Sequence, residues 1–160
     1  EDGAEKYILH RGRKLEWTPR STLPKLSIAV DNEPISFIKH VDNYTREPRN
    51  DAYPISLQRR GGSIALSMAQ LAAGNFDALI MFPQGKGNIW DVAAGQYHLQ
   101  CSNIPLYDIV GEPFDYRKNG LNGLIAIRRE YASHVWEILI ASERLRRNYV
   151  TSHSRKSTTT

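Results

Sequence analysis

What this 160-residue sequence lacks narrows its class before any motif is read. It has a single cysteine, Cys101. One thiol cannot build an internal disulfide framework, so a disulfide-stapled scaffold is excluded and Cys101 reads as a small apolar filler. No apolar run approaches the ~18 residues that cross a bilayer. The opening Glu1-Asp2-Gly3-Ala4-Glu5 is acidic where a signal peptide is basic and then apolar. A cytoplasmic protein with no membrane partner is therefore expected. The five histidines, at 10, 40, 98, 134 and 153, show no metal-ligand spacing. No Ser-His-Asp or Cys-His arrangement is present either, so no catalytic residue is assigned. Gly85-Lys86-Gly87 lacks the spacing and the following Ser or Thr of a P-loop.

Carboxylates are missing from one stretch in particular. Residues 144–160 carry Arg144, Arg146, Arg147, Arg155 and Lys156 and no acid, which leaves 16 basic against 17 acidic residues in 1–143. The net charge of +4 is thus a property of the tail, and nucleic acid is not an expected partner of the body. A tail of Ser, Thr and Arg buries too little apolar surface to offset its ordering entropy and is expected to be disordered. Residues 1–143, in a chain that is 41% hydrophobic, form the folded domain.

Within that domain helices and strands interleave. Residues 7–17 read as a polar hairpin around Gly12. Leu26, Ile28 and Val30 alternate with Ser27 and Ala29, the period expected of a pleated element. Asp31-Asn32-Glu33-Pro34 opens a helix with Ile35, Phe37, Ile38 and Val41 on its apolar face, followed by a charged loop from Tyr44 and a short strand over Tyr53–Leu57. Ser63 to Ala73 is apolar nearly all round, as in a helix buried between layers, and Gly74-Asn75 stops it. Strands follow at 76–82, 106–110 and 124–127, with a helix at 89–101 and a last amphipathic helix from Glu130. This order predicts an α/β fold, a mixed sheet flanked by helices.

Two helix starts carry the candidate chemistry. Arg59-Arg60-Gly61-Gly62-Ser63 offers unpaired backbone N–H groups at a helix tip with two guanidinium groups nearby, an arrangement suited to phosphate. Asn88-Ile89-Trp90-Asp91 sets a carboxylate just inside the next helix, where small residues behind it let the helix pack closely. On spacing alone Asp91 has two readings. With Asn88 as the cap it is a first-turn residue favoured by the helix dipole, and otherwise it is a metal ligand reaching into a cleft. Trp90 reads as a packing residue.

In that order, Gly62-Ser63-x-Ala65-Leu66, Leu71-Ala72-Ala73-Gly74-x-x-Asp77-Ala78, Trp90-Asp91-Val92-Ala93-Ala94-Gly95 and Asp108-x-x-Gly111-x-Pro113-Phe114 resemble the C-terminal half of the inositol monophosphatase family. The resemblance implies a lobe of that family's layered α/β fold and a Mg2+-dependent phosphomonoesterase acting on a small phosphorylated substrate. By position it makes Asp91 a metal ligand and substrate contact, and Gly62, Ser63 and Ile64 substrate-positioning residues. The family's other metal carboxylates lie on a Glu-Glu segment and an Asp-Pro-x-Asp-Gly-Thr motif of an N-terminal lobe, and this sequence has neither. Mg2+ is therefore expected only with that lobe, and the chain alone is expected to be inactive. It is also expected to associate, either with the N-terminal lobe or as a homo-oligomer. Two further departures bear on the site. The family's acidic substrate contact falls here on Met81, and its Gly-Gly turn is Asn103-Ile104. Inositol, sugar, histidinol and phosphoadenosine phosphates all remain open as substrates.

Overall fold

Residues 9–10, 13–14, 25–31, 35–46, 54–83, 89–117 and 123–142 are described by a computed structural model. The charged loop at 47–53, the loop with Lys86 and Asn88, and the basic tail lie outside them. A short antiparallel pair, β1 (Leu9–His10) and β2 (Arg13–Lys14), stands where the hairpin was expected. The main sheet has five strands, β3 (Leu26–Asp31), β4 (Ile55–Arg59), β5 (Ala78–Met81), β6 (Leu106–Asp108) and β7 (Leu124–Ile127), in the order β4-β3-β5-β7-β6. β3 pairs in parallel with β4 and with β5, while β7 runs antiparallel to β5 and β6. Four strands therefore point one way and β7 points the other.

Chain direction across this sheet decides where the helices go. From β3 the chain steps outward to β4 through α1 (Ile35–Arg46). It then returns across β3 to β5 through α2 (Ile64–Ala72), and goes on to β6 through α3 (Ile89–Cys101). Parallel crossovers are right-handed, so reversing the direction of travel moves the connecting helix to the opposite face. Phe37 and Val41 of α1 accordingly pack with Val135 and Ile138 of the last helix, α4 (132–142), on one face of the sheet, against Leu26, Ile28, Ile80, Ile125 and Ile127. Met68 and Leu71 of α2 and Val92 and Leu99 of α3 pack on the other face, against Ala29, Leu79, Leu124 and Ala126. A mixed sheet flanked by helices is thus the fold, as the residue pattern predicts.

β3 is covered on both faces. Ala29 is fully buried beneath the α2/α3 layer, and Ser27 is only 8% exposed. The Ser27 hydroxyl accepts from Gln58 Nε2 at 2.7 Å, so it costs no unpaired polar group. β4 begins two residues later than predicted. Pro54 lies just outside it, and its carbonyl accepts the Leu26 N–H at 2.8 Å. α1 continues through Tyr44 to Arg46, and a 3-10 turn, Arg129–Tyr131, precedes α4.

Both helix stops on the site side of the sheet are closed in the same way. After α2, Gly74 adopts φ +83°, its N–H donates to Leu71 O, and Asn75 N–H donates to Gln70 O. After α3, Asn103 adopts φ +54°, its N–H donates to Gln100 O, and Ile104 N–H donates to Leu99 O. This is the Schellman arrangement, closed over α3 by buried Ile104 and Leu99. Asn is the residue other than glycine that best tolerates a left-handed backbone. Asn103 therefore closes α3 with the same turn that Gly74 makes after α2.

Candidate functional site at the carboxyl rim of the sheet

Pairing registers place Arg59, Asp31, Met81, Leu124 and Asp108 in sequence along one rim. It is the carboxyl rim of the four strands that run together, and α2 and α3 both start from it. The helices that follow the neighbouring strands β3 and β5 lie on opposite faces of the sheet. Outside the carboxyl ends of two such strands is the usual ligand position in an open α/β sheet.

Several polar groups near the rim are already committed to structure. The Asp108 carboxylate accepts the N–H groups of Val110 and Glu112 at 3.0 and 2.9 Å and so holds the turn through Gly111 to Pro113. Arg60 does not serve as a cation for the helix tip. Its guanidinium donates to Gln58 Oε1 at 2.8 Å and lies over the Phe76 ring at 5.6 Å. Met81, where the resemblance puts an acidic substrate contact, is buried in the α2/α3 core. Asp91 differs from all of these. It is exposed in the first turn of α3, and no hydrogen bond or ion pair engages its carboxylate among the described residues.

At the start of α2, Gly62 and Ser63 are exposed and Ile64 is half-buried against the core. Gly62 has φ +108°, with open space where a side chain would begin, so a ligand can approach its backbone. Ser63 is the N-cap, and its Oγ accepts the Leu66 N–H at 3.3 Å. The cap leaves the N–H groups of the first turn without intrahelical acceptors and directed outward. Replacing Ser63 with alanine should cost about 1 kcal/mol. Thermal unfolding should fall by about 2–4 °C, and an unchanged midpoint would reject the cap.

The two helix starts are held side by side. Along the seam, Met68 faces Gly95, and further on the Ser102 hydroxyl donates to Ala72 O at 3.2 Å. These two contacts advance in the same direction along both helices, so α2 and α3 run together rather than against each other. One turn back toward the rim from Met68 is Ile64, and one turn back from Gly95 is Asp91. The residues predicted from sequence, Gly62, Ser63, Ile64 and Asp91, therefore lie toward the same end of the seam.

Oxygen donors for a metal are few. Among the described residues no group of three or more His, Cys, Asp or Glu side chains could hold an ion. Asp91 suits Mg2+, which takes hard oxygen ligands, but it supplies one carboxylate where a complete site needs further oxygens. Its neighbour Trp90 is 73% exposed, not the packing residue it was read as, and Tyr97 and Leu66 stand more than half exposed on the same helix layer. No helix among the described residues is long and apolar enough to cross a membrane.

Solved structures share this architecture. An IMPase of Thermotoga maritima superposes with a TM-score of 0.62 at 17% identity, covering 90% of this chain and 51% of its own. Inositol monophosphatase II of Staphylococcus aureus with bound inositol monophosphate gives 0.57 at 22% identity, covering 90% and 53%. An IMPase/NADP phosphatase complexed with Mg2+ and phosphate gives 0.53 at 21%, covering 79% and 44%. This chain spans about half the length of each. No curated protein sequence matches it. The inositol monophosphatase family model matches residues 10–140, over the sheet, both helix starts and the seam between them, and the chain belongs to the inositol monophosphatase family.

Proposed function

We propose that this chain is the part of a Mg2+-dependent phosphomonoesterase that supplies the Asp91 carboxylate and the α2 helix tip, the remaining metal ligands lying on polypeptide outside it. What supports this reading is that an uncommitted carboxylate and a capped, glycine-led helix start lie toward the same end of one seam. The family fold suggests a phosphatase, and a related structure of that fold holds Mg2+ and phosphate. In this reading Asp91 holds the metal and a substrate hydroxyl, and Gly62, Ser63 and Ile64 receive the phosphorylated substrate. Mg2+, when bound, would lower the pKa of a coordinated water and neutralise charge on phosphoryl oxygens. Residues 1–143 form the lobe, and the basic tail at 144–160 is left for other contacts.

The outward face of α2 and α3 supports an incomplete protein. Leu66, Trp90 and Tyr97 are exposed there, with the small exposed residues Ala73, Ala93 and Ala94 between them. A two-helix layer this apolar on its outer side calls for cover. That same face also supports a second reading, a non-catalytic binding module that keeps the fold. One experiment separates the two. The chain is supplied with an N-terminal lobe carrying the Glu-Glu and Asp-Pro-x-Asp-Gly-Thr segments. Mg2+-dependent phosphate release, together with conversion of a self-associating chain into a single dispersed species by light scattering, supports the phosphatase. A stable complex with no turnover and no Mg2+ binding by calorimetry favours the module.

A further inference from the structure

The seam between α2 and α3 is closer than side chains ordinarily permit. A Cβ built on Gly95 would lie 2.3 Å from Met68 Sδ, 2.7 Å from Met68 Cβ and 2.9 Å from Met68 Cγ. The sulfur could swing away, because methionine is unbranched and adaptable. The Cβ cannot. It is fixed to the α2 backbone, so any side chain at residue 95 must push the helices apart. Gly95 and Met68 are both buried, and no loop intervenes between this contact and the helix starts one turn away.

We propose that Gly95 is a positioning residue that sets the spacing between Asp91 and the α2 helix tip. The proposal rests on the phosphatase reading for its consequence, though not for its geometry. Carbon atoms in contact sit about 3.5–4.0 Å apart, so a methyl at residue 95 must open the seam by about 1 Å. Helices are stiff over one turn, and the displacement reaches Asp91 and Ile64 with little loss. Displacing a reacting arrangement by about 1 Å can lower turnover about 10²-fold. A helix interior otherwise favours alanine over glycine, so secondary structure itself should not be lost.

The test has a distance arm and an activity arm. Spin labels at Leu66→Cys and Trp90→Cys, in a Cys101→Ser background, report the separation of the two helices in the full chain by pulsed electron resonance. Gly95→Ala should lengthen that distance by about 1 Å. Adding Met68→Gly should return it to the value of Met68→Gly alone. If Gly95→Ala does not fold, recovery of folding on adding Met68→Gly is the same result. An unchanged distance, or a double variant that neither folds nor recovers the spacing while Met68→Gly alone does, overturns the proposal.

In the activity arm the chain is joined to its N-terminal lobe. Gly95→Ala should lower kcat about 10²-fold, with a smaller change in KM, and Met68→Gly should restore much of it. A lengthened distance with kcat unchanged, while Asp91→Asn still abolishes turnover, overturns the positioning role and leaves the phosphatase reading standing. If Asp91→Asn is also silent, the assignment of Asp91 to the site is what fails.

Discussion

Asp91→Asn, in the chain joined to an N-terminal lobe, should lower Mg2+-dependent phosphate release by about 10²–10³-fold, because it weakens the hold on the ion that would stabilise developing phosphoryl charge. Asparagine keeps the size and one oxygen of the side chain but loses the negative charge that a hard divalent ion requires. The fold should barely notice. Asp91 is exposed and bonded to nothing among the described residues, so only its interaction with the α3 dipole is at stake, about 0.3–1 kcal/mol. This contrast distinguishes the two readings that spacing alone leaves open. A carboxylate present only to start α3 would give the opposite pattern, a small stability loss with turnover unchanged. Steady-state phosphate release across a Mg2+ titration, with thermal unfolding of the same preparations, decides between them. An unaltered Mg2+ dependence would remove Asp91 from the site.

The elements that could be read from sequence are those with local signals. Ser63 and Gly74 bound α2 by cap chemistry, and α3 has the predicted limits because its small residues and the turn at Asn103 act within a few positions. The pairing of Gly62-Ser63 with Asp91 was legible as two similar helix starts. Their adjacency was not, since it depends on the contact between Met68 and Gly95 across 27 positions of sequence. Long-range burial caused the misreadings. Nothing local shows that the small residues Ser27 and Ala29 are buried, Ala29 under a second helix layer. Gln58 and Arg59 hid the end of β4, because nothing local shows that the Gln58 amide spans Ser27 and Arg60. Arg60, read as a cation for an anion site, is drawn the other way by that amide and the Phe76 ring.

The least legible residue is Arg128, and its replacement by methionine should destabilise the chain by about 3 kcal/mol. Nothing in the sequence distinguishes it from its exposed neighbour Arg129, but Arg128 is 2% exposed at the end of β7. Its Nη2 donates to Leu71 O at 2.7 Å and to Ala72 O at 3.4 Å, the last carbonyls of α2. A cation placed there also meets the negative end of the helix dipole. Its backbone N–H donates to the carbonyl of Asp77, a buried residue whose Oδ2 accepts the Ser27 N–H at 2.8 Å. The guanidinium thus ties the foot of α2 to the end of β7, where the backbone N–H of Arg128 and the Asp77 carboxylate join β7, β5 and β3. Methionine retains the apolar stem but removes every donor, and lysine, with one compact ammonium, should recover only part of the loss. At this chain length the expected drop in unfolding midpoint is about 6–12 °C. Buried charges can sometimes be replaced by hydrophobic groups without loss, so a methionine variant as stable as the parent would show that the arginine's desolvation cancels its bonds. Because the foot of α2 lies at the far end of the seam from Asp91, the folded fraction of Arg128→Met, joined to the N-terminal lobe, should retain its Mg2+ dependence.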